Sequence, residues 1–96
     1  MNILIVVSHP DAINALTGLT AACLRQQHSY TCFFTGDGVT LLQNQQVVNV
    51  TADAKKAVVC EYSWERHFKP SPSVVEKGSQ TDLSAMMCTA DKVVSL

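Results

Sequence analysis

The chain has 96 residues, 47% of them hydrophobic and only 16% charged, with a formal net charge of −1. That length suits one domain with a core of its own, small enough to gain from assembly, and the composition is that of a globular chain, not a disordered one. Near-neutral charge with no cluster of Lys and Arg argues against nucleic acid or an anionic membrane surface as the main partner. The first apolar run, residues 3–7, has no basic segment before it and is too short for a signal peptide or a membrane span. A cytoplasmic chain is therefore expected, with Cys23, Cys32, Cys60 and Cys88 as thiols. Their wide spacing contains no C-x-x-C, so no metal is expected.

In chain order, residues 2–7 are a branched apolar run that reads as a strand buried on both faces. It ends at Ser8-His9-Pro10-Asp11, and Pro with Ser or Asp nearby places a helix start within a few residues of Pro10. Leu16, Leu19, Cys23 and Leu24 carry the helical period to about Gln27, with Gly18 tolerated if close packing needs it. Residues 29–35 read as a second strand that ends at Gly36-Asp37-Gly38, and two strands joined by such a helix imply a parallel βαβ unit. Residues 39–54 give no firm element, although Val47, Val48 and Val50 suggest extended chain.

The segment from Ala57 to His67 organises the rest: residues 56–60 are an Ala/Val-rich strand that delivers Cys60 to the start of a helix. At such a helix start, free backbone N–H groups and the helix dipole stabilise a thiolate, the reactive form of sulfur. Set against this, a lone cysteine is most often a small buried apolar residue. Lys69-Pro70-Ser71-Pro72 breaks the helix. Residues 73–76 then suggest a short fourth strand, 80–89 a helix with Leu83, Met86 and Met87 inward, and 92–95 a last strand. The expected fold is a single α/β domain over residues 1–96, three-layered, with a mostly parallel sheet of four to five strands flanked by helices.

In a parallel sheet the carboxyl ends of the strands share one rim, so Ser8 and His9, Asp37 and Gly38, Cys60, and residues 77–79 should gather there. Each also has a bland reading as a turn or loop residue. Tyr62, Trp64 and Phe68 lie on or beside the helix after Cys60, and a small domain is not expected to bury all three, which points to a subunit interface. Helical spacing sets Ser63 and Trp64 one turn and His67 two turns from Cys60, with Arg66 on another face. Of the thiols, Cys23 and Cys32 should be shielded, Cys88 intermediate and Cys60 the most reactive.

Three segments resemble the DsrE/DsrF-like family of sulfur-relay proteins, of the DsrEFH and TusBCD type. Phe33-Phe34-Thr35-Gly36-Asp37-Gly38-Val39 is similar to the family's strand ending in an Asp-Gly-Val turn. Val58-Val59-Cys60 with Arg66 is similar to its strand, cysteine and arginine, and Ala90-Asp91-Lys92-Val93-Val94 resembles its closing strand. The resemblance implies a cysteine, here Cys60, that accepts sulfane sulfur as a persulfide and passes it on without metal or organic cofactor. His9, Asp37, Gly38 and Arg66 are the supporting candidates. Homo- or hetero-oligomers of related subunits, with sulfur donor and acceptor proteins as partners, are implied as well. Glu61, Tyr62, Trp64 and His67 stand where relatives usually carry small residues or glycine, and the stretch between the second and third strands is short where relatives carry a helix. A non-catalytic assembly subunit of the same fold is the alternative. Residues 3–11 also resemble the opening of LmbE-like zinc deacetylases, but Ala12 and Ile13 replace that motif's Asp and Glu, which leaves no ligand set for zinc.

Overall fold

The computed structural model describes all 96 residues, Met1–Leu96. Five strands form one sheet in the order β4-β3-β2-β1-β5, and every pairing in it is parallel. They are β1 (Asn2–Val7), β2 (Ser29–Phe34), β3 (Lys56–Cys60), β4 (Glu76–Gly78) and β5 (Lys92–Ser95). Four helices connect them: α1 (Ile13–Arg25), α2 (Gln45–Asp53), α3 (Glu61–Phe68) and α4 (Gln80–Thr89), with a 3-10 segment at Gly36–Gln43 before α2. The radius of gyration, 12.2 Å, is close to the ~13 Å of a compact chain of about 100 residues.

The layers follow from the order of the strands. From β1 to β4 the chain steps one way across the sheet, and from β4 to β5 it returns the whole width. Right-handed crossovers put the helices of opposite steps on opposite faces. Accordingly Leu16 and Cys23 of α1, Val39 and Leu42 of the 3-10 segment, Val47 of α2 and Trp64 of α3 pack with Ile5, Val7, Cys32, Phe34 and Val59 on one face. Leu83 and Met86 of α4 cover Leu4, Val6, Phe33, Val58 and Cys60 on the other. The fold is the three-layer α/β domain expected from the sequence.

Several local expectations differ, among them Met87, expected inward but 44% exposed. Residues 47–50 are helical, not extended: Val47, Val50 and Ala54 meet the core at helical spacing, and the Asn44 side chain caps α2 by accepting from the Gln46 N–H at 2.8 Å. Packing of that stripe overrides the weak preference of valine for strands, and α2 occupies the connection for which the sequence pattern indicates no firm element. The fourth strand lies at Glu76–Gly78 instead of residues 73–76. The Trp64 indole N–H donates to the Ser71 carbonyl at 2.9 Å, and the strand pairs in the register Val58↔Glu76 and Cys60↔Gly78. At the first helix, neither Ser8 nor Asp11 caps: α1 starts from Ala12 with no side-chain cap. Finally, a Cβ on Gly18 would meet nothing within 4 Å, so close packing does not require that glycine.

Candidate functional site: a crevice at the ends of β3 and β4

β3 and β4 are neighbours, yet the helices that follow them leave to opposite faces, α3 to one and α4 to the other. Such a reversal opens a crevice beyond the carboxyl ends of the two strands, the usual binding position in open α/β sheets. Here it encloses about 340 Å³ between Cys60, Glu61, Tyr62 and Glu65 on one side and Gly78, Ser79 and Gln80 on the other. Glycine at position 78 keeps the crevice floor open, since a Cβ there would lie 2.6 Å from Val58 Cγ1 and 2.7 Å from an Asp82 carboxylate oxygen. The same Asp82 oxygen accepts from the Ser79 N–H at 2.7 Å, fixing the start of α4.

Cys60 is the N-cap residue of α3, with extended backbone, and only 5% of it is exposed. N-cap side chains face the unpaired N–H groups of the first helical turn. Burial, the largest influence, pushes the Cys60 thiol up. The Ser63 hydroxyl and N–H, the Gln80 amide and the Tyr62 N–H together outweigh it, and the thiol lies below its ordinary value. The Gln80 Nε2 donates to Cys60 Sγ at 3.8 Å across the crevice. The other thiols differ: burial raises Cys23 and pushes Cys32 up to about 12, while Cys88 is exposed.

Ser63 joins Cys60 to the glycine-rich turn after β2. Its buried hydroxyl oxygen accepts from the Gly36 N–H at 2.9 Å, leaving its proton for the sulfur. One turn further along α3, His67 Nε2 lies 3.1 Å from Asp37 Oδ1. Gly38 has a structural reason: a Cβ there would come within 2.3 Å of the Val7 carbonyl oxygen and 3.0 Å of Ser8 Cα. The turn thus sits directly against the end of β1, where Thr35 N–H donates to Val7 O at 2.9 Å.

The candidates named from the sequence therefore fall into four groups. Cys60 lines the crevice. Asp37 and Gly38 reach it indirectly, through the turn that Ser63 and His67 tie to α3. Arg66 lies 5.8 Å over the ring of Tyr62, which is itself a crevice wall. His9 stays two strands away at the end of β1, with Ser8 Oγ 3.3 Å from its Nδ1, and takes no part in the crevice. Gln80 was not anticipated. Its only signal in the sequence is Ser79-Gln80-Thr81-Asp82, a helix-start pattern directly after a short strand. Of the three aromatic residues, some of which were expected at an interface, Trp64 is 7% exposed and packs at a tilt on Phe68 with centroids 4.5 Å apart inside its own chain. Tyr62 alone is open, at 70%.

No helix of the chain is long and apolar enough to cross a membrane. No family model matches the chain, and no curated protein matches it either.

Proposed function

We propose that this chain is a sulfur-relay protein of the DsrE/DsrF-like type, carrying sulfane sulfur as a persulfide on Cys60. The observation that supports this most is a thiol held below its ordinary value at a topological switch point, facing a crevice of about 340 Å³. A thiolate is the attacking form of sulfur. Cys60 Sγ⁻ attacks the terminal sulfur of a donor persulfide and a new S–S bond forms. The donor's own S–S bond breaks, and its thiolate leaves with the electron pair. No oxidant, metal or organic cofactor is consumed. Passing the sulfur to an acceptor thiolate reverses the same step, with Cys60 as the leaving group. Ser63, Gln80 and the N–H groups of α3 stabilise Cys60 in both roles, because a sulfur that is comfortable as a thiolate also leaves easily.

The partners in this reading are donor and acceptor proteins of the cytoplasm and related subunits that complete the assembly. Cyanolysis of the protein after exposure to a small persulfide donor tests it. About one labile sulfur per chain is expected in the wild type and none in Cys60→Ser, whose smaller polar atom fits the same N-cap position. Equal labile sulfur in both proteins, or none in either, would favour a non-catalytic assembly subunit.

A further inference from the structure

On the α4 face of the sheet, at the opposite ends of the strands from Cys60, lies a second and larger cavity of about 430 Å³. Its polar wall is Asn2 of β1, Thr31 of β2, Lys55 and Lys56 at the start of β3, and Asp82 and Thr89 of α4. Volumes of this size are typical of small-molecule sites. Two features distinguish the wall from ordinary surface. Thr31 is 7% exposed, and its hydroxyl is buried without any hydrogen-bond partner, although buried polar groups are nearly always paired. Moreover, neither lysine is in an ion pair.

Of each of two carboxylates nearby, one oxygen is already engaged. Asp82 accepts from the Ser79 N–H and hydroxyl at 2.7 and 3.2 Å. Asp91, behind Asn2, accepts from the Asn2 N–H at 2.6 Å. On its sheet side the wall offers donors: two ammonium groups, the unpartnered Thr31 hydroxyl and the Asn2 amide, whose oxygen already faces Ser29 Oγ at 3.4 Å. We infer that this cavity binds a small organic anion through a carboxylate or phosphate group, held by Lys55 and Lys56 with Thr31 donating from the sheet. Charge-assisted hydrogen bonds from ammonium groups are the stronger kind, and the hydroxyl gains the partner it lacks. This inference is independent of the role of Cys60.

Amide chemical shifts of the labelled protein, titrated with inorganic phosphate and separately with succinate at constant ionic strength, test it. Saturable shifts at Thr31, Lys55 and Lys56 are expected with at least one probe, and the tighter one tells which headgroup the site prefers. Lys55→Gln with Lys56→Gln, both at exposed positions, should weaken that binding at least tenfold. Thr31→Val should weaken it too, yet raise the melting temperature of the ligand-free protein by deleting an unpaired buried hydroxyl. Shifts that never saturate with either probe, or that survive unchanged in the double lysine variant, would overturn the inference. So would a lowered melting temperature in Thr31→Val.

Discussion

Ser63 is the residue on which the chemistry of Cys60 depends most, because its one hydroxyl serves two elements. It receives the Gly36 N–H at 2.9 Å and stabilises the Cys60 thiolate. Ser63→Ala should raise the Cys60 thiol toward its ordinary value and slow its alkylation several-fold near pH 7. It should also cost about 1–3 kcal/mol of stability by orphaning the Gly36 N–H, measured by urea unfolding. At about pH 6.5, well below the ~8.5 of a free thiol, the stabilised Cys60 should react with iodoacetamide before Cys88, although Cys88 is exposed. Peptide mapping checks the order. Cys32 and Tyr30 make a different prediction. Their folded-state values are raised, from 9.0 and 10.0 respectively, each to about 12. The folded chain therefore holds protons that the unfolded chain releases. Stability from this source is complete below about pH 9 and is lost progressively as pH rises toward 12. Urea unfolding from pH 8 to 11 should show the fall steepening above pH 9, and Cys32→Ala should make it shallower.

At the scale of elements, two glycines that look alike in the sequence have opposite meanings. A Cβ on Gly38 would press into the backbone of Val7 and Ser8, so Gly38→Ala should destabilise the fold by roughly 1–3 kcal/mol, as overpacking does. Gly18 sits in the middle of α1 with open space around it, so Gly18→Ala should stabilise by about 1 kcal/mol through helix propensity alone. Thermal melts of the two variants should move in opposite directions. The walls of the crevice add a charge preference. Glu61 and Glu65 of α3 line it, and no Lys or Arg does. At low salt a cationic methanethiosulfonate should modify Cys60 several-fold faster than an anionic one, and Glu61→Gln with Glu65→Gln should remove the difference. Strands and helices with continuous or evenly spaced apolar residues were legible in the sequence, from Asn2–Val7 to Lys92–Ser95. The stretch at 39–54 was not, because its valines fit either period and only the core decides that Val47, Val50 and Ala54 share one face. Gln80 was illegible for a related reason. What brings it to Cys60 is the pairing of β3 with β4, a contact across 20 residues of chain that no local pattern announces.

For the molecule as a whole, the order β4-β3-β2-β1-β5 is what creates the site. A single reversal of direction, after β4, splits the paths of α3 and α4 and leaves Cys60 at the only neighbouring strand pair whose helices part to opposite faces. The placement of Cys60 at a helix start was legible in the sequence, whereas the crevice is a property of topology. The aromatic surface open to a partner is smaller than the count of three suggests, since Trp64 and Phe68 are packed within the chain and Tyr62 is the open member. Tyr62→Ser should therefore lower any self-association seen by sedimentation velocity without shifting the melting temperature by more than a degree or two, as expected of a surface change. The central claim is that Cys60 takes up sulfane sulfur as a stabilised thiolate. Its most direct test is the intact mass of a Cys88→Ser protein after brief exposure to a low-molecular-weight persulfide across a range of pH. The prediction is the gain of one sulfur atom on Cys60, at a rate that holds up below the ordinary thiol value and falls only as the pH drops through the lowered value of Cys60. No sulfur on Cys60 at any pH, or uptake that follows an ordinary thiol titration, would contradict it.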